Sequence, residues 1–171
     1  EKVFEVAVAH RDPGVGKYGL HNFLIPIGNQ LLEAVSPKDG EHDTPGGRYL
    51  KRRGGDGGYM VIMQVPQAAY PAYRQRVEDM GIRLVSEPGE GLEDTGGIQL
   101  HPKDVPGAIA ELRWNVGEDQ PDGAWWPAGA DWQDHKHTEV VDAIIAAEIQ
   151  SDDPDAFAAR WGEVLLSLIH I

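Results

Sequence analysis

The chain has 171 residues, 41% hydrophobic and 25% charged, a globular composition long enough to bury one sizeable core. Its formal charge of −13 opposes binding to nucleic acid or to an anionic membrane surface, and no run of about 18 apolar residues is present to form a membrane-spanning helix. There is no Cys, which excludes disulfides and thiol catalysis and fits a reducing, cytoplasmic setting.

The 21 Gly and 12 Pro favour short strands and frequent turns over a helical bundle. Val3–Ala9 alternates loosely between apolar and polar and predicts a strand that ends at Asp12-Pro13-Gly14. Because the chain opens inside that strand, the reading places the true N-terminus upstream. Asn22–Ile27 and Gln30–Val35 predict a hairpin across Gly28-Asn29. Lys38–Gly47 reads as a loop, and Arg48–Arg53 as a short basic helix stopped by Gly54-Gly55. Tyr59–Val65 is the most apolar strand and is expected to be central. Tyr70–Met80 predicts a helix with Pro71 in its first turn and Ala69, Tyr73, Val77 and Met80 on one face. Strands are then expected at Ile82–Ser86, Ile98–His101 and Ala108–Trp114. After a Trp-, Pro- and Asp-rich stretch, Val140–Gln150 predicts a further strand. Asp152-Asp153-Pro154 opens a helix whose face carries Phe157, Trp161, Val164 and Leu165.

The order strand, helix, strand, strand, strand thus recurs in pieces. The reading divides the chain into residues 1–37 (the last three strands of a first module), 38–57 (a linker), 58–115 (a complete second module), 116–138 (a second linker), 139–165 (the opening of a third module) and 166–171 (a non-native tail).

Two carboxylates stand out. Glu33 lies in Leu31-Leu32-Glu33-Ala34-Val35 and Glu111 in Ile109-Ala110-Glu111-Leu112. Each follows a Gly/Pro turn and sits on an apolar strand, where an ionised carboxylate needs a cation, a metal or a polar cavity. Their recurrence one module apart suggests that the two converge on one site.

Three segments carry a resemblance to the vicinal oxygen chelate superfamily, which includes glyoxalase I, methylmalonyl-CoA epimerase, extradiol dioxygenases and bleomycin-resistance proteins. They are Asn22–Pro37, Tyr49–Val65 and Gly96–Leu112, and the last looks most like methylmalonyl-CoA epimerase. The resemblance implies an α+β fold of paired βαβββ modules forming a cup-shaped eight-stranded sheet, incomplete in this chain. It implies a divalent metal ion and no other cofactor, held by Glu33 and Glu111 as last-strand ligands, with Glu111 also as catalytic base. Met60 stands where many members have a His ligand, and a thioether is a poor ligand for such metals.

Two functions follow. One is a metal-assisted lyase, isomerase or dioxygenase acting on a small oxygenated substrate. The other is a metal-free small-molecule binding or sequestering module of the bleomycin-resistance type. Either implies a small-molecule partner, and in this family modules pair within or between chains, which admits a homodimer.

Other groups have plainer readings. His101 sits at a strand end, His21 before a strand, His135 and His137 in a His-Lys-His run, and His10 and His42 in turns. Arg48, Lys51, Arg52 and Arg53 form a basic cluster that reads as a solvated turn or as a handle for an anionic group. Gly54–Gly58 precedes a strand and so lacks the geometry of a phosphate loop. Trp125, Trp126 and Trp132 are expected to pack over a sheet edge. Open strand edges predict poor behaviour of the isolated chain. Size-exclusion chromatography tests this: a broad or aggregated profile is expected, and a stable compact monomer contradicts it.

Overall fold

The computed structural model describes residues 3–39, 43–117 and 122–165. The chain divides into two compact units, Glu1–Gly57 with Gln120–Ala146, and Gly58–Asp119 with Ala147–Ile171. The expected tail at 166–171 and His42 lie outside the described residues.

In the first unit, β1 (Leu20–Ile27) and β2 (Gln30–Pro37) form an antiparallel hairpin with Leu24 opposite Glu33. Gly28 has φ +59 at the first turn position, the geometry of a type II′ turn. A Cβ there would also fall 2.0 Å from the Asp142 carbonyl oxygen, so only glycine fits. Val3–Ala9 is not a strand. Glu5 takes φ +52, which no extended run tolerates, and pairing is reduced to one bridge between His10 and Leu24. Leu24, Ala128 and Trp132 form this unit's core, with Ala9, Leu31 and Trp125 packed around them.

Helix α1 (Pro45–Arg53) starts earlier than expected, inside the predicted loop. Thr44 Oγ1 accepts from Gly47 N at 3.0 Å and Pro45 presets the first turn, while Gly54 at φ +78 ends the helix. Val140–Gln150 forms no strand. Ile144 N donates to the Gln30 side chain at 3.1 Å instead of to a neighbouring strand, and Ile145 is left 95% exposed. Residues through Ala146 belong to the first unit and those from Ala147 to the second.

The second unit is a complete βαβββ module. It contains β3 (Met60–Gln64), α2 (Tyr70–Asp79), β4 (Leu84–Ser86), β5 (Thr95–Leu100) and β6 (Ile109–Asn115). The sheet order is β3-β6-β5-β4, with β3 parallel to β6 and the other pairs antiparallel. β3 therefore lies at an edge and β6 inside, contrary to the expectation from apolarity alone. Apolar content ranks β3 above β6, but pairing and not apolarity separates an edge from a centre.

One sheet face carries Ala110, Leu112, Ile98 and Leu100, which pack with Val77 of α2 and with Trp161 and Val164 of α3 (Pro154–Leu165). α3 shows the expected apolar face, but that face covers the core of the second unit. It docks on the turn between β5 and β6. Trp161 Nε1 donates to Pro106 O at 2.8 Å, and Arg160 Nε donates to Asp104 O at 3.0 Å. Gly107, at φ +96, permits this approach, because a Cβ there would meet Phe157 at 2.5 Å.

Asp104 also fixes the turn to the entry of β4. Its carboxylate accepts from Arg83 Nε at 2.8 Å, from an Arg83 terminal nitrogen at 2.7 Å and from Arg83 N at 3.0 Å. Those bonds hold the Asp104 carboxyl well below the usual carboxylate range. A folded-state value below the unfolded one, about 4, stabilises the fold above that pH, and the effect is lost as pH falls further. Asp104→Asn should therefore lower Tm near pH 7, and its gap from wild type should begin to narrow below about pH 4 and close only toward the lower folded-state value. Because the pair is open to solvent, the gap should also shrink in high salt.

Candidate functional site

The second sheet face is polar. β6 alternates, so Glu111, Arg113 and Asn115 point away from the core that Ala110 and Leu112 enter. Register sets Gln99 and Ile62 on either side of Glu111, and Gln64 beside Arg113. Met60 shares the face, opposite Ile109.

Glu111 is 2% exposed and both of its oxygens are engaged. Gln99 Nε2 donates to Oε2 at 2.7 Å, and Arg113 Nε lies 2.7 Å from Oε1. The second contact is held by charge and not by an aligned hydrogen bond. Ser86 Oγ donates to Gln99 Oε1 at 2.8 Å, which fixes the amide with its nitrogen toward Glu111. A bulge makes this reach possible. Leu84 pairs with Leu100 and Ser86 with Gln99, so residues two apart on β4 serve opposite faces. Leu84 packs into the core while Ser86 joins the polar row.

Tyr70, at the start of α2, stands in the same electrostatic field. Burial, above all, pushes its hydroxyl above the usual tyrosine value, and the charges of Glu87 and Glu111 add to the rise against the opposing pull of Arg74. Arg74 pairs with Glu87 and, at 3.1 Å, with Glu78.

Glu33 lies in the first unit and carries a related contact. Asn22 Nδ2 donates to its Oε1 at 2.6 Å, and Asn22 Oδ1 accepts from Asp12 N at 2.9 Å. Glu33 and Glu111 belong to different units. His21 alternates onto the strand face opposite Glu33 and is exposed. His101 Nδ1 accepts from Lys103 N at 3.1 Å, a turn contact. His135 ends a short 3₁₀ turn and His137 is exposed. Of the three tryptophans, Trp132 is core, Trp125 packs against it and Trp126 is exposed.

The residues around Glu111 do not fit a divalent metal. Both oxygens already have partners, and a cation on Oε1 would sit beside the Arg113 guanidinium. Like charges about 4 Å apart repel by roughly 4 kcal/mol per unit of charge near a protein surface. Met60 adds no hard donor to the same face. Among the described residues no group of three or more His, Asp or Glu is placed to hold a metal ion.

The βαβββ order and strand pairing of the second unit are those of a glyoxalase-type α+β protein. The chain belongs to the glyoxalase-like domain family, of the vicinal oxygen chelate superfamily, which matches residues 6–165. Its structure is similar to methylmalonyl-CoA epimerase from Mycobacterium tuberculosis, at 20% identity and TM-score 0.55, over 68% of this chain and 76% of that one. The Streptomyces coelicolor epimerase in complex with 2-nitronate-propionyl-CoA is similar at 21% identity and TM-score 0.54, over 67% and 83% of the two chains. A hypothetical protein from Bacillus halodurans is similar at 18% identity and TM-score 0.55, over 70% and 83%. At these identities the likeness shows the fold alone. No curated protein matches the sequence.

Arg113 and Gln99 are the residues that sequence reasoning missed. Arg113 was within reach, since a residue two positions on from Glu111 shares its strand face. Gln99 requires the register of β5 against β6, which no local pattern reveals. Replacing Gln99 with Leu leaves Glu111 Oε2 without its donor in a buried setting. Gln99→Leu should cost about 1–3 kcal/mol in urea unfolding, and Ser86→Ala, which removes only the outer link of the row, should cost less.

Proposed function

We propose that the chain is a metal-free, small-molecule-binding glyoxalase-like domain, and that the polar face of the second unit receives the oxygenated part of the ligand. One observation carries this reading. The Glu111 carboxylate already has a cation and an amide donor, so its role is to orient polar groups and not to ligate a metal. Ile62 and Met60 on the same face supply apolar surface beside the polar row. The ligand class is an oxygenated small molecule. Acyl-CoA thioesters are the first probes, because a structural neighbour is bound to 2-nitronate-propionyl-CoA.

A second reading keeps Glu111 as a base for proton transfer next to a carbonyl. Its support is the buried, last-strand position of Glu111 and the likeness of the fold to epimerases.

Calorimetry on chelator-treated protein separates the two readings, with acyl-CoA thioesters, 2-oxoaldehyde–thiol adducts and apolar aromatic compounds as ligands. Saturable binding without turnover is expected, weakened roughly tenfold or more, about 1.4 kcal/mol, in Glu111→Gln. Turnover in wild type that vanishes in Glu111→Gln would establish the second reading. Absence of binding across all three ligand classes would sink the first.

A further inference from the structure

We propose that Arg113 is a built-in counter-cation, which takes over in this chain the charge-balancing role of a divalent metal at the last-strand carboxylate. Glu111 and Arg113 sit two residues apart on β6 and therefore point to the same face. Their side chains are 2% and 12% exposed, so water screens neither charge well. Arg113 Nε lies 2.7 Å from Glu111 Oε1, while the other oxygen is held by Gln99. A metal at this carboxylate would have to displace Arg113 or Gln99, and would then share the face with Met60. Arginine suits the task because its charge is permanent and its planar fork holds direction without an open coordination position. The consequence is a site that is charge-balanced by its own sequence and independent of metal supply.

The inference deepens the proposed binding reading and shares its premise that Glu111 holds no metal, while the energetic coupling of Glu111 to Arg113 is its own claim. Its test uses ligand-free protein, so a failed ligand screen leaves it standing.

The experiment is a double-mutant cycle of Glu111→Gln and Arg113→Met on the full chain, with Tm and metal content as readouts. Wild type, dialysed against chelator and then against manganese(II), cobalt(II) or zinc(II), should retain no Glu111-dependent ion. Each single variant should lose stability by burying a charge without its partner, and the double variant should be more stable than either. If Arg113→Met does not fold, the comparison of Glu111→Gln with the double variant still decides. Greater stability of the double variant supports the pair. A double variant no more stable than Glu111→Gln overturns it. Stoichiometric metal in wild type that is lost in Glu111→Gln also overturns it.

Discussion

A carboxylate in the middle of a sheet must be neutralised by something nearby, and the polar face of the second unit is arranged around that requirement. Glu111 lies on β6, the strand flanked by both β3 and β5, so its side chain is covered from two sides. Desolvation there penalises an unpartnered charge by several kcal/mol. Arg113 supplies the charge from the same strand, and Gln99 supplies a donor from the next one. Ser86 then orients Gln99, which is possible only because β4 is bulged. Strand order, register and bulge thus all bear on one carboxyl group.

The opposite face shows why that arrangement can be held steady. Leu112, Ala110, Ile98 and Leu100 form a dry layer beneath α2 and α3. Gly96 leaves room for the Trp114 ring, since a Cβ there would fall 2.7 Å from Nε1. The His101–Gly107 turn ties the layer together, through Arg83 on one side and α3 on the other. A rigid apolar face fixes the backbone of β5 and β6, and so fixes the side chains that leave the sheet in the other direction.

The two units repeat one device with different outcomes. In each, a glutamate on the last strand accepts from an amide side chain on the strand before it, Asn22 for Glu33 and Gln99 for Glu111. Only the second case is joined by a guanidinium two residues along the strand, since Val35 stands at that position after Glu33. Glu33 is also less deeply buried. The physical demand for charge balance is greater at Glu111, and the local sequence meets it there.

Much of the fold was legible in short-range pattern. The β1–β2 hairpin followed from Gly28-Asn29, α2 from Pro71 and a helical apolar face, and α3 from Phe157, Trp161 and Val164. These features depend on backbone preference and periodicity, which neighbouring residues determine by themselves. The importance of Glu33 and Glu111 was legible for the same reason, because a charge inside an apolar run is conspicuous. Apolarity misled where pairing decides. Val3–Ala9 and Val140–Gln150 read as strands yet pair with no neighbouring strand beyond the bridge at His10, and β3 read as central yet lies at an edge. The sequence by itself determined which short segments prefer helix, strand or turn, and which residues are chemically unusual. Tertiary structure alone decided the chemistry of Glu111. Register placed Gln99 opposite it, the bulge delivered Ser86, and burial made the neighbouring Arg113 its necessary counter-charge.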